Sequence, residues 1–306
     1  MALLSLLVFA NRNPFRVTSL AKPGSGGGGG PPAPKQQAIV LFHGLGETDS
    51  VMDDKIGRDL RQAFPNAEVV ALQRNEQQGI AAQAQKTYQD LQAKDLHQRD
   101  LVFMGISAGG VVAIETLNQH PALAVKGIIA YHSPLKGAPI AAAKEQEIDA
   151  LVNHLPLPPE LVSGVNIKQI SKQYTQGQAA QDLKPSSPFM ATFEANLSKV
   201  KVPILAIAGK GGSLVSLVKD FCGLDLSILS SLWGNLDPTW AKLVGGSDHS
   251  DHSDHDGLLP TDSQLAQHIN IPRIEYCYQA GVSHLGTIPP DTMEKIKKNI
   301  KSYFQQ

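Results

Sequence analysis

In this 306-residue chain, the residue best placed to act as a nucleophile is a serine flanked by glycines two positions away on each side. Ser107 stands in Gly105-Ile106-Ser107-Ala108-Gly109, a GxSxG pattern that follows the apolar run LVFM and leads into a stretch carrying Val111, Ile114 and Leu117 at helical spacing. A strand that reverses into a helix through a single residue forces the positions two before and two after it together. Glycine at both removes the clash. The serine is then held in a strained backbone with its hydroxyl at the helix N-terminus, where positive partial charge favours a developing anion. The chemistry such a residue serves is attack on a carbonyl carbon.

A serine hydroxyl needs a base, and the base needs an orienting carboxylate. Of the ten histidines, His284 alone follows a strand-like run, IEYCY, and precedes a glycine turn. Asp256 precedes Gly257 in DGLLPTDS, a turn that closes an insertion. The order Ser107, Asp256, His284 is the order that elbow-type serine sites use, and the interval between acid and base leaves room for one helix and one strand. Asp251, Asp254 and Asp262 are alternative acids, and Asp256 is preferred for its glycine turn. The oxyanion of a tetrahedral intermediate needs two preorganised donors. The backbone N–H groups of Leu45, in HGLG at 43–46, and of Ala108 are assigned to that task. His43 is read as bonding its own loop. His97, His120, His132, His154 and His268 are read as solvated surface imidazoles. No metal or organic cofactor is called for.

These residues must be carried to one place, and the remaining sequence supplies a frame. From Gln37 onward, short β-branched runs alternate with amphipathic stretches, the rhythm of a parallel sheet with helical crossovers. Strands are expected at Ala38–Phe42, Ala67–Leu72, Leu101–Met104, Ile128–Tyr131, Pro203–Ala208 and Ile274–Tyr278. Helices are expected at Met52–Phe64 and Ile80–Ala93, and at the C-terminal end, where Met293, Ile296, Ile300 and Phe304 share a face. The fold class is α/β: an open, mainly parallel sheet of about six strands flanked by helices. In such sheets, function gathers in the loops at the carboxyl ends of the strands.

The segments HGLG, GISAGG (105–110), HSPLKGAP (132–139), VPILAIAG (202–209), DGLLPTDS (256–263) and SHLG (283–286) resemble those of α/β-hydrolases, in particular bacterial triacylglycerol lipases and palmitoyl-protein thioesterases. Together they cover most of the chain from Gln37. The resemblance implies a serine hydrolase acting on carboxylic esters through an acyl-enzyme, with a small-molecule or lipid acyl ester as substrate. A thioesterase for acyl-protein or acyl-CoA, or an acyltransferase, would use the same triad. A non-catalytic binding protein on this fold would be expected to have lost part of the site. Lys136, and the Asp/His-rich run before the acid, depart from the lipase pattern and bear on the substrate rather than the mechanism.

Composition narrows the partners. With 27 basic and 28 acidic residues the chain has no positive excess to hold a phosphate backbone, so nucleic acid is not an expected partner. The first 36 residues read as an N-terminal tail with signal-like or transit-like features and a Gly/Pro linker; its apolar run from Ala2 to Ala10 is too short to span a membrane, and the compartment is left open. The domain at 37–306 is expected to carry cap insertions at about 140–199 and 211–246. The second contains Leu214, Leu217, Val218, Phe221, Leu224, Ile228, Leu232 and Trp233 near helical spacing: core packing is the first reading, and a lid making transient lipid contact is the second. The run at 247–256 is read as a solvated loop rather than a metal site. Cys222 and Cys277 are read as free thiols.

Overall fold

The computed structural model describes residues 36–153, 174–222, 237–245 and 254–306. The N-terminal tail and linker, and most of the Asp/His-rich run, lie outside them. All six expected strands form: β1 (Gln37–Phe42), β2 (Ala67–Ala71), β3 (Asp100–Ile106), β4 (Val125–Tyr131), β5 (Ile204–Lys210) and β6 (Ile274–Ala280). They make one sheet in the order β2-β1-β3-β4-β5-β6, and every neighbouring pair is parallel. The chain therefore steps outward from β1 to one side once and then crosses over to β3 and runs to the other edge.

Strands buried on both faces carry apolar residues at every position, because each face meets a helical layer. In β1, Ala38, Val40 and Phe42 join the core on one face, while Ile39 and Leu41 join the core on the other. The first face is covered by helices Ile80–Ala93 and Ala108–Gln119 together with Pro188–Leu197, which contributes Met190, Phe193 and Leu197. The opposite face receives the segment Asp49–Ala63 and the C-terminal helix Pro290–Tyr303, through Met52, Ile56, Leu60, Met293, Ile296 and Ile300. The periodicity at the C-terminus thus marked the buried face correctly, and Tyr303 adds to it. Midway, the helix expected at 52–64 widens into a π turn at Asp53–Gly57 before Arg58–Ala63 resumes α geometry.

Described parts of both insertions are helical: Glu145–Asn153, Gln178–Asp182 and Pro188–Leu197 in the first, Leu214–Cys222 and Asp237–Leu243 in the second. Leu214, Leu217 and Trp240 are almost fully buried and belong to the main core. For Leu214 and Leu217 of the apolar stripe, core packing is what the structure holds; Leu224, Ile228, Leu232 and Trp233, and the side chains of Val218 and Phe221, lie outside what is described. Cys277 is a free, half-buried thiol in β6. No helix among the described residues is long and apolar enough to cross a membrane.

Candidate active site

The carboxyl ends of β3, β5 and β6 face one rim, and the three residues singled out for chemistry meet there. Ser107 follows β3 directly. Its φ of 51° and ψ of −131° lie where a side-chain-bearing residue is strained, as a one-residue reversal requires. The glycine argument can be checked at the atomic level: a Cβ on Gly105 would fall 2.4 Å from the Gly109 carbonyl carbon and 2.3 Å from Gly110 N, and one on Gly109 would fall 2.2 Å from Phe42 O. No side chain fits at either position. The Ser107 N–H donates to Tyr131 O at 2.9 Å, so the β3–β4 ladder continues up to the serine itself. Ser107 is 8% exposed, at the surface of the core rather than sealed within it.

His284 Nε2 lies 3.0 Å from Ser107 Oγ, and its Nδ1 lies 2.7 Å from Asp256 Oδ2. The Ser–His–Asp chain is therefore continuous across 177 residues of sequence. Local structure holds each member. The His284 N–H donates to the Asp256 carbonyl at 2.8 Å, tying the loop after β6 to the acid's own backbone. Asp256 Oδ1 accepts from the N–H groups of Leu258 (3.0 Å) and Leu259 (2.7 Å), a local turn made possible by Gly257 at φ 95°. Behind the acid, Gly212 approaches so closely that a Cβ there would sit 2.1 Å from the Asp256 carbonyl carbon. Burial alone would push the Asp256 carboxyl up. The His284 charge and hydrogen bond, His132 and the Leu259 amide together pull it below its ordinary value, so the carboxylate form persists.

Alternative acids are placed elsewhere. Asp262 pairs with Lys136 at 3.2 Å on the surface, Asp254 is exposed, and Asp251 lies outside the described residues. The HGLG loop abuts the serine: a Cβ on Gly44 would be 3.1 Å from Ser107 Cβ. Glu47 accepts from Gly44 N–H at 3.1 Å, and Glu76 accepts from Gly46 N–H, so the loop is fastened on both sides of Leu45. Ala108 opens the helix Ala108–Gln119, whose first N–H groups have no partner within the helix. His43 Nδ1–H donates to Gly44 O at 2.8 Å, the structural role expected of it.

His132 departs from expectation. Read as a surface imidazole, it is fully buried, stacked on Tyr131 with ring centroids 4.1 Å apart, and its Nδ1 is 3.4 Å from Asp256 Oδ2. The signal was available: His132 follows β4 as directly as Ser107 follows β3, and the carboxyl-end rule applies to both. The loop setting suggested solvent instead. His132, Asp256 and His284 have ligand-type atoms within 4.8 Å of one another. The 2.7 Å from His284 to Asp256 is a hydrogen-bond length, however, shorter than the roughly 3.3 Å between two ligands at about 2.0 Å from a tetrahedral ion. The cluster is built for protons.

Two cavities flank Glu47. One, of about 350 Å³, has His284 in its wall and is otherwise lined mainly by apolar groups including Ile106, Tyr131, Leu285, Ile288 and Met293. The other, of about 950 Å³, is lined by charged and amide side chains such as Arg74, Glu76, Gln77 and Lys86 and includes none of the triad.

The sequence matches no protein-family model, and comparison with curated proteins gave no match. Solved structures do superpose. A Bacillus licheniformis lipase, BlEst2 in its mature form, aligns over 88% of this chain and 93% of its own at 18% identity and a TM-score of 0.52. A metagenomic carboxyl esterase aligns over 93% and 82% at 17% identity and a TM-score of 0.51. The chain has the α/β-hydrolase fold. A monoacylglycerol lipase from Paleococcus ferrophilus, at 14% identity and a TM-score of 0.51 over 88% and 94%, shares it. Within this fold, the glycine contacts at 105 and 109 are the local expression of the strand–elbow–helix unit.

Two buried histidines make a prediction about pH. Burial lowers both His43 and His132 to about 4 from the ordinary 6.5, so both are neutral in the folded chain. Between those values the unfolded chain binds more protons, so stability falls as pH drops from about 6.5 towards 4. Calorimetry at pH 7 and pH 5 should show a lower Tm at pH 5, with a smaller drop in His43→Phe; equal drops would mean His43 is not held neutral.

Proposed function

We propose that this α/β-hydrolase is a serine hydrolase that cleaves carboxylic esters through an acyl-enzyme. The observation that carries this reading is the unbroken run from Ser107 Oγ to His284 at 3.0 Å and on to Asp256 at 2.7 Å, set at a strained elbow. Ser107 attacks the ester carbonyl as His284 Nε2 takes its proton. Asp256 holds the imidazole with its proton on Nδ1 and stabilises the imidazolium that forms. Leu45 and Ala108 N–H groups receive the oxyanion. His284 then protonates the departing alcohol, and water repeats the sequence on the acyl-enzyme. The cavity beside His284 is the proposed acyl site, where Ile56, Ile106, Leu285, Ile288 and Met293 offer apolar surface to a hydrocarbon chain and Glu47, Asp59, Glu294 and Lys297 add charge to the lining. Esterase and lipase names among structures of the same fold agree with the reading. Transfer to an alcohol or release from a thiol would use the same residues, and product analysis with an added acceptor separates those cases.

Ser107→Ala should abolish both turnover of a p-nitrophenyl ester and labelling by a fluorophosphonate; labelling at the wild-type rate would refute the nucleophile. Asp256→Asn should lower kcat by roughly 10³- to 10⁴-fold, as loss of the orienting acid does elsewhere, while Asp254→Asn leaves kcat near wild type. A reversal of those two results moves the acid by two positions. Across C2 to C16 acyl esters, kcat/KM should rise beyond acetyl; a maximum at C2 would mean that the apolar cavity does not receive the acyl chain.

A further inference from the structure

Asp256 is flanked by two imidazoles, and the acyl-transfer reading uses only one. His132 Nδ1 lies 3.4 Å from the same Oδ2 that His284 reaches, and the two rings are 5.9 Å apart. The ring is held on all sides: Tyr131 stacks on it, a Cβ on Gly209 of β5 would strike it at 2.7 Å, and its N–H backbone group donates to Ile207 O at 2.8 Å. On its far edge, Nε2 lies 3.1 Å from Gln279 Oε1 of β6, and the Gln279 amide nitrogen meets Thr292 Oγ1 of the C-terminal helix. The titratable groups that face His132 are Asp256, His284 and Tyr131; Gln279 and Thr292 are neutral.

A neutral imidazole carries one proton. Placed on Nε2 for Gln279, it leaves Nδ1 pointing a lone pair at a carboxylate oxygen. A half-turn of the Gln279 amide exchanges an oxygen and a nitrogen of nearly equal size and resolves this. Thr292 O–H then donates to Gln279, the Gln279 N–H to His132 Nε2, and the His132 Nδ1–H to Asp256. Each donor in that run then faces an acceptor, the last across 3.4 Å.

We propose that His132 is a positioning residue for Asp256: it gives an Nδ1–H hydrogen bond to the oxygen shared with His284, and Gln279 and Thr292 fix its tautomer. The proposal rests on the acyl-transfer reading of the Ser107 site. It gives the buried carboxylate four donors, two amides on Oδ1 and two imidazoles on Oδ2. Without His132 the negative charge is less compensated. The His284–Asp256 pair then holds a proton more tightly, whichever partner carries it.

The test is the pH dependence of kcat/KM for a p-nitrophenyl ester. His132→Phe, which keeps the stack on Tyr131, should lower kcat by roughly tenfold at neutral pH, the low end for a hydrogen bond to a charged group, with KM unchanged. Its acid limb should move up by about half to one pH unit, and Gln279→Leu should move it in the same direction. Acid limbs coincident with wild type in both variants would overturn the proposal. Should neither variant fold, ¹⁵N-histidine NMR of the wild-type protein reads the tautomer directly: a proton on His132 Nδ1 supports the assignment, and one on Nε2 alone overturns it. A wild-type protein that neither turns over ester nor takes the fluorophosphonate label would instead overturn the acyl-transfer reading, and the NMR result would stand independently of it.

Discussion

A carboxylate with no exposure to water is the constraint around which this end of the molecule is organised. Moving such an ion out of water costs several kcal/mol even after relaxation, so it persists only where hydrogen-bond donors replace the solvent. At Asp256 the donors are short-range and mostly backbone: the Leu258 and Leu259 amides come from the turn that Gly257 permits, and the imidazole of His284 comes from a loop whose own N–H is fastened to the Asp256 carbonyl. The charge therefore fixes the loop that carries His284. The His284 imidazole in turn reaches Ser107 only because the loops after β3 and β6 open on the same rim of a sheet whose neighbouring strands all run parallel.

The other half of the arrangement is steric. β3 can hand its chain to a helix in one residue because backbone atoms at 105, 109 and 110 touch where side chains would be, and because the helix start presses on Phe42 and His43 carbonyls at the end of β1. That contact sets the distance between the HGLG loop and Ser107. Ser107 and the HGLG loop are thus positioned by close packing of main chain, which has few ways to relax, rather than by long side chains.

Much of this was legible in the sequence because the relevant forces leave local marks. Doubly buried strands demand apolar runs, which marked β1, β3, β4 and β5, and the less buried edge strands β2 and β6 were also found to within a few residues. An elbow demands glycines, and they marked Ser107. Asp256 was harder to isolate among neighbouring acids, and only the Gly257 turn distinguished it. The place of His132 directly after β4 marked it for the rim, but its burial depends on what other strands bring to it: Gly209, Gln279 and Asp256 are distant in sequence, and their convergence on it is not a local pattern. The π turn at Asp53–Gly57 was likewise invisible, since apolar spacing around it still averages to a helix.

The second insertion is joined to the acid through Trp240, whose indole N–H donates to Gly257 O at 2.6 Å, and through Gly212, whose N–H donates to His255 O at 2.9 Å. Both contacts grip residues adjoining Asp256. A change of sequence in that insertion is consequently felt as a torque on the turn that aims the carboxylate. Exchanging this segment for one of different shape would here carry a penalty in the alignment of Asp256 with His284.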